Sequence, residues 1–277
     1  MPELPEVEVT RMGVTPYLLD QCVTGLVLRR DGLRWPFPAN LAKLIVGEKV
    51  LGTGRRGKYL LILFSHGCVI IHLGMSGHIR MLPLATPAKQ HDHVDIVLGQ
   101  QMLRLTDPRR FGAVLWHSYE NGPVGQHPLL CRLGVEPLES EFSGELLYQR
   151  SRGRSLAIKQ MLLAGDVVVG VGNIYASESL FISGINPCTP AGKISLGQYK
   201  KVALAIQHVL SAAIAKGGSS LRDFVGVDGK TGYFQQNYFA YDRAGLPCLV
   251  CGSLIQQIKQ GQRSTFYCVK CQNQPFE

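Results

Sequence analysis

"KYLLILFS" (58–65) and "CVIIHLGM" (68–75) are two β-rich runs parted only by a turn around "SHG". A loop this short joins antiparallel strands, since a parallel crossover needs a dozen residues or more. "HVDIVLG" (93–99), "MLRLTD" (102–107) and "AVLWHS" (113–118) repeat the pattern, with "GQQ" between the first two. Several of these runs are apolar on both faces. A single sheet with one wet face would not need that, so an antiparallel β-sandwich is predicted for residues 1–130. A helix is expected to open the chain, with Gly13 and Pro16 interrupting it.

Downstream the hydrophobic period changes to that of helices. Ser155 is a candidate cap for "LAIKQMLLAG", with Gly165 as the stop. "NIYASESLFISG" runs from Asn173 to a stop at Gly184. Ser195 with Gln198 forms a capping-box pattern for a long helix ended by Gly217-Gly218. Between the first two lies "DVVVGVGN" (166–173), too glycine-rich to stay helical and too apolar for a plain solvent loop. Residues 131–237 are therefore read as a helical domain, and 238–277 as a separate unit.

That last unit carries "CLVC" (248–251) and "CVKC" (268–271). Two residues between ligands let a tight turn aim both sulfurs at one ion. Four thiolates close a tetrahedral site, so Cys248, Cys251, Cys268 and Cys271 are read as ligands of one structural Zn²⁺. Disulfides or an iron–sulfur site are the alternatives. The segment between the pairs is expected to form a hairpin turning near Gln260-Gly261.

The chain has 277 residues with 45% hydrophobic content, enough for a core and more than one domain. No apolar run approaches a membrane span, and the N-terminus lacks a signal pattern. A soluble, cytoplasmic protein is expected. The formal net charge of +9 suits a polyanionic partner, most often nucleic acid, or a solvated surface. Nothing requires more than a monomer.

"MPELPEVE" opens the chain. Pro5 suits the first turn of a helix, where Glu3, Glu6 and Glu8 favour the positive end. If Met1 is removed, Pro2 also presents a secondary amine beside Glu3.

Taken together, "PELPEVE", "GRRGKYLL", "HLGMSG", "HDHVD", "TDPRRFG", "GVGNIYASESLF" and "CxxC…RSTFYCxxCQ" resemble, in order and over essentially the whole chain, the bacterial formamidopyrimidine-DNA glycosylase family. The resemblance implies an α+β multidomain fold: an N-terminal β-sandwich, a helical domain with a helix-two-turn-helix motif, and a C-terminal β-hairpin zinc finger. It implies base excision repair on damaged double-stranded DNA in bacteria, in association with the nucleoid. Such an enzyme removes oxidised purines such as 8-oxoguanine and formamidopyrimidines, then cleaves the abasic site by β,δ-elimination. The related endonuclease VIII enzymes typically have Gly where this chain has Leu4.

By the same resemblance, Pro2 is the Schiff-base nucleophile and Glu3 the proton donor to the sugar, with Glu6 helping to arrange the site. Lys58 is a strand lysine serving base release, elimination and phosphate contact. Arg263 is a finger arginine gripping phosphates. Met75, Arg109 and Phe111 match a trio that fills the void left by an everted base, Arg109 donating to the orphaned cytosine. His91 and Arg154, and with them His72, Lys159, Asn173 and Tyr241, match DNA-contact positions. Taken from the residues alone, Met75 and Phe111 could be core, Asn173 a helix N-cap and His72 a satisfied strand histidine. Glu178 reads as an internal structural carboxylate. "VGVDGKTGYFQQNYF" (225–239) suits a segment closing over the flipped base, and Asp242 stands where the family commonly has glycine. Two other functions compete. A preference for oxidised pyrimidines shares the chemistry. A non-catalytic zinc protein binding DNA or RNA explains the charge, finger and helices, but not Pro2-Glu3 with Lys58.

Overall fold

The structure is a computed structural model, and it describes residues 2–218 and 238–273. Most of the segment 225–239 lies outside the described residues. The described chain falls into two compact units: residues 2–131 with 216–218, and residues 132–215 with 238–273.

The first unit opens with helix α1 (Leu4–Leu18), which runs through both Gly13 and Pro16. Pro16 lies in the last turn, where its missing N–H costs a single bond. Leu4, Val7, Val14 and Leu18 bury one face and hold the helix against that local preference. Strands β1 (Gly25–Leu28), β2 (Gly52–Arg56), β3 (Tyr59–Leu63), β4 (Gly67–His72), β5 (His78–Pro83), β6 (Asp92–Leu98), β7 (Gln101–Thr106) and β8 (Ala113–Ser118) follow, with a short helix α2 (Leu41–Ile45) before β2. They form two four-stranded antiparallel sheets, ordered β1-β6-β7-β5 and β2-β3-β4-β8. Leu60, Ile62, Val69 and Ile71 of one sheet and Val94, Ile96, Leu103 and Leu105 of the other share one core, as a sandwich requires. Leu61, Cys68 and Ile70 are buried as well, which explains why β3 and β4 are apolar on both faces.

The runs quoted above correspond to β3, β4, β6, β7 and β8 and do not include β1, β2 and β5. Those three are all edge strands. An edge strand is half solvated, so sequences such as "GTGRR" and "HIRMLP" serve there without an apolar run. Across β6 and β7, the acids of "HDHVD" are structural. Arg104, 2% exposed, donates to Asp95 at 2.8 and 2.9 Å and to Asp92 at 3.4 Å. Burial works against these two charges. Thr106 and the guanidinium outweigh it at Asp92, as Arg104 and Arg29 do at Asp95, and both carboxyls stay below their ordinary range.

The second unit holds helices α3 (Gly144–Ser151), α4 (Ile158–Ala164), α5 (Asn173–Ile182) and α6 (Leu196–Ala215), then strands β9 (Gln256–Gln260) and β10 (Arg263–Tyr267). α4 begins three residues beyond Ser155. The Ile158 N–H is taken by the Thr189 carbonyl at 2.8 Å, so the loop satisfies a donor that a side-chain cap would otherwise serve. Gly165 ends α4 in the left-handed conformation, at φ 80°. Ser195 and Gln198 make the reciprocal bonds of a capping box at 2.9 and 3.3 Å. The linker "DVVVGVGN" is apolar because Val167, Val168, Val169 and Val171 are all buried, with the first three laid along Val135.

The β9–β10 hairpin turns at Gly261-Gln262 and is tied to the helices. Gln272, fully buried, accepts the Cys268 N–H and donates to the Ile185 carbonyl. Asp242 is left-handed at φ 58°, which explains why glycine suits this position. Asp242→Gly should raise stability by about 0.5–1 kcal/mol, part of the gain being offset by unfolded-chain entropy. A urea unfolding midpoint checks this, and an unchanged or lower midpoint contradicts it.

Candidate functional site

The first helical turn is unusually acidic and closed. Pro2 and Pro5 are buried, Glu3 is 1% exposed and Glu6 is fully buried. Glu3 is the N-cap of α1, and its N–H donates to the Glu6 carboxylate at 2.8 Å. The Glu6 N–H returns a bond to the Glu3 carboxylate, completing a capping box. The helix-start reading of these acids therefore holds, and it leaves a carboxylate directly beside Pro2.

Lys58 lies in a turn rather than in a strand. β2 and β3 pair from Arg56 opposite Tyr59, so Gly57-Lys58 is a two-residue hairpin loop. Gly57 takes φ 56°, as the first position of a type II′ turn requires. Arg55 fixes this turn to α1. It donates to the Gly57 carbonyl at 3.0 Å and to Glu8 at 3.0 Å. Burial works against the Glu8 charge, yet Arg11 and Arg55 together hold its carboxyl below the ordinary range.

His72, at the end of β4, lies against Tyr59, the two rings tilted by 49° with centroids 4.8 Å apart. Its pKa falls to about 4, first through burial and then through the charges of Lys58 and Arg34. The Gly74 N–H donates to Nδ1 at 3.0 Å, so the neutral ring carries its proton on Nε2 and can donate there. The unfolded histidine titrates near 6.5, well above the folded value. Stability is therefore whole above the unfolded value of 6.5 and is lost as pH falls from there toward about 4, by at most about 3 kcal/mol. His72→Asn should flatten this part of the pH–stability curve, measured by urea unfolding between neutrality and mild acid. An unaltered slope contradicts the assignment.

Met75 sits on the turn between β4 and β5, and Arg109 and Phe111 on the turn between β7 and β8. All three are exposed, Met75 by 36% and Phe111 by 45%. They are therefore not core. The Arg109 guanidinium lies 5.0 Å from the Phe111 ring. Arg110 between them is left-handed at φ 59°. The two turns meet closely: a Cβ on Gly74 would lie 2.5 Å from the Phe111 carbonyl carbon.

Beneath them is Asp107, fully buried. It accepts from Ser76 Oγ at 2.9 Å and from the Gly112 N–H at 2.8 Å. Its own N–H donates to the His91 carbonyl at 3.0 Å, so the backbone of one expected residue is tied to Asp107, and a second, Arg109, is linked to its carboxylate through Ser76. Asp107, Ser76 and Arg34 went unassigned in the sequence, because partners more than thirty residues apart leave no local signal.

In the second unit Arg263 is exposed at the start of β10 and lines a surface depression with Gln257, Lys259, Gln262 and Ser264. Lys159 departs from expectation. It is fully buried, and its Nζ donates to Thr265 Oγ1 at 2.8 Å and to the Ser264 carbonyl at 3.2 Å. Its ammonium holds β10 instead of reaching a phosphate at the surface. Asn173 is the first residue of α5, not its cap, which is Gly172. Its Nδ2 donates to the same Ser264 carbonyl at 3.0 Å. Tyr241 packs edge-on against Phe266 at 5.3 Å. Arg154 stands apart, half-exposed and paired with Asp166 at 3.0 Å. Such a surface pair is worth 0–1 kcal/mol or so and is readily exchanged for a phosphate. Glu178 accepts the N–H groups of Phe239, Ala240 and Tyr241 at 2.8–3.0 Å, so it anchors backbone.

The sulfurs of Cys248, Cys251, Cys268 and Cys271 all lie within 4.8 Å of one another. The 248–271 and 251–268 pairs are 3.8 and 3.4 Å apart. A tetrahedral thiolate site with metal–sulfur bonds near 2.3 Å calls for separations of about 3.8 Å, whereas a disulfide needs about 2.05 Å. The four residues thus fit one zinc ion. Among the described residues, no helix is long and apolar enough to cross a membrane.

Three family models match the chain in succession: the formamidopyrimidine-DNA glycosylase N-terminal domain over residues 1–114, its H2TH domain over 133–225, and a zinc finger found in FPG and IleRS over 245–274. The zinc-finger match and the cysteine geometry together give the protein one structural zinc. A formamidopyrimidine-DNA glycosylase of Herminiimonas arsenicoxydans is 64% identical over 272 residues, covering 98% of this chain and all of that relative. The MutM (FPG) protein of Thermus thermophilus superposes with a TM-score of 0.88 at 34% identity, over 99% of this chain and 100% of that one. The Lactococcus lactis Fpg bound to DNA containing an abasic site gives 0.90 at 30% identity, over 98% and 100%.

Proposed function

The chain belongs to the formamidopyrimidine-DNA glycosylase family, DNA glycosylases with AP lyase activity that serve base excision repair, and from that premise we propose its substrate and its mechanism. It removes oxidised purines, 8-oxoguanine and formamidopyrimidines, from double-stranded DNA in the bacterial cytoplasm. The observation that carries this reading is the buried Pro2-Glu3 pair at the start of α1.

With Met1 removed, the Pro2 nitrogen is a secondary amine. Such α-amino groups titrate near ~8, so a neutral fraction exists at working pH without any perturbation. The nitrogen attacks C1′ as the glycosidic bond breaks with its electron pair leaving on the base, and the nitrogen's own proton is lost to the departing base, which frees the lone pair to open the ring. Glu3 gives its proton to the ring oxygen as the sugar opens. A secondary amine yields an iminium that is positively charged without further protonation. That cation draws electrons from C2′, whose proton is lost as the bond to the 3′ phosphate breaks. A second elimination expels the 5′ phosphate.

The other residues bind and orient. Lys58, on a turn that Arg55 fixes to α1, reaches the phosphate and helps proton movement during elimination. The Nε2–H of neutral His72 suits a phosphate oxygen, and His91, Arg154, Asn173 and Tyr241 add further contacts along the backbone. Arg263 suits a bidentate phosphate grip better than proton transfer, because guanidinium stays charged. Zinc supplies no chemistry in this scheme; it fixes the hairpin that presents Arg263. The base must leave the stack before attack, and Met75 and Phe111 are wedge types for the void. Arg109 donates to the acceptors of the orphaned cytosine.

Duplexes carrying 8-oxoguanine, a formamidopyrimidine or an oxidised pyrimidine test the substrate class. The expected result is fast excision of both purine lesions, with phosphates on both ends of the resulting gap. Excision confined to the pyrimidine lesion, or tight binding with no excision of any, overturns it.

A further inference from the structure

On the strength of that reading, we propose that Ser76 and Asp107 form a clamp that sets how strictly the base opposite the lesion is read. Ser76 is a positioning residue here, acting through Arg109. The residues assigned to fill the void stand on two separate turns. The buried Asp107 carboxylate joins them: Oδ1 takes the Ser76 hydroxyl at 2.9 Å and Oδ2 the Gly112 N–H at 2.8 Å. Ser76 Oγ in turn accepts the Arg109 N–H at 3.1 Å. One carboxylate therefore holds the Met75 turn and both sides of the Arg109–Phe111 turn.

The chemistry asks for a hydroxyl at position 76, because one atom must donate and accept at once. Ser76 is only 7% exposed, so water is a poor substitute. The left-handed Arg110 adds a reason for the clamp. A non-glycine residue stays in that conformation only where its surroundings hold it. Reading a base edge by hydrogen bonds depends on donors placed to within tenths of an ångström, and a site built this way rejects the wrong base far more strongly than a loose one. With the Arg109 backbone freed, its guanidinium can follow either base.

Single-turnover excision of 8-oxoguanine opposite cytosine and opposite adenine tests this, with nicking of a ready-made abasic site as the reference for intact chemistry. In Ser76→Ala the cytosine-to-adenine rate ratio should fall roughly tenfold, the size expected for one lost buried hydrogen bond. Abasic-site nicking should stay within about threefold of wild type, and Ser76→Thr, which keeps the hydroxyl, should restore the ratio. If Ser76→Ala does not fold, Asp107→Asn is read in its place, with the same loss expected. An unchanged ratio in a folded Ser76→Ala or Asp107→Asn overturns the clamp. Wild-type protein that leaves 8-oxoguanine untouched overturns the functional reading and the clamp with it.

Discussion

Pro2→Gly is expected to slow base excision and strand nicking together, by roughly 10²–10⁴-fold in single-turnover assays. Glycine keeps a primary amine at the chain start, so the variant separates the kind of amine from its presence. A primary amine gives a neutral imine that must gain a proton before it can act as an electron sink. That added requirement is of the same order as losing a general acid. The ring also helps fill the closed first turn of α1, where Pro2, Leu4 and Pro5 are buried. Affinity for undamaged DNA should change little, because backbone phosphate contacts carry it. Wild-type rates in this variant would end the account of Pro2 as nucleophile.

Cys268→Ser should have the largest effect on the finger. Cys268 is fully buried, its sulfur is 3.4 Å from that of Cys251, and its N–H is held by Gln272. The hairpin has a small core, built largely on Ile255, Phe266 and the ligands themselves. Structural zinc contributes ~10–16 kcal/mol in small modules, more than such a core supplies. The variant should drop from about one zinc per chain to almost none by elemental analysis, and β10 should lose its order. DNA affinity should fall on the order of 10²-fold at moderate salt, as Arg263 and the hairpin cease to present charge. A zinc-free variant that still binds and cuts DNA refutes the metal's structural role.

How much of this was legible in the sequence depended on distance along the chain. Signals within a few residues were readable. Gly165 and the Ser195/Gln198 box marked helix ends correctly, and the two CxxC pairs defined a site whose sulfurs do converge. Lys58 reads as a strand residue because "GTGRR" has only Thr53 as a β-former, set between glycines and followed by arginines, which hides β2 and so the turn after it. Lys159 shows a different failure. The resemblance implies a DNA contact for it, and only its partners Ser264 and Thr265, some 105 residues away, show that its ammonium is buried. Met75 and Phe111 read as core by type alone. Their exposure follows from turns that Asp107 and Ser76 pin from below, a connection spanning 31 residues.

Borohydride trapping tests the central claim most directly. The protein would be mixed with a duplex carrying 8-oxoguanine opposite cytosine, reduced, and the covalent complex digested and mapped by mass spectrometry. The account predicts a crosslink on the nitrogen of Pro2, absent with undamaged duplex. A crosslink on Lys58 or another lysine, or no crosslink from zinc-loaded protein that binds the duplex, would contradict it.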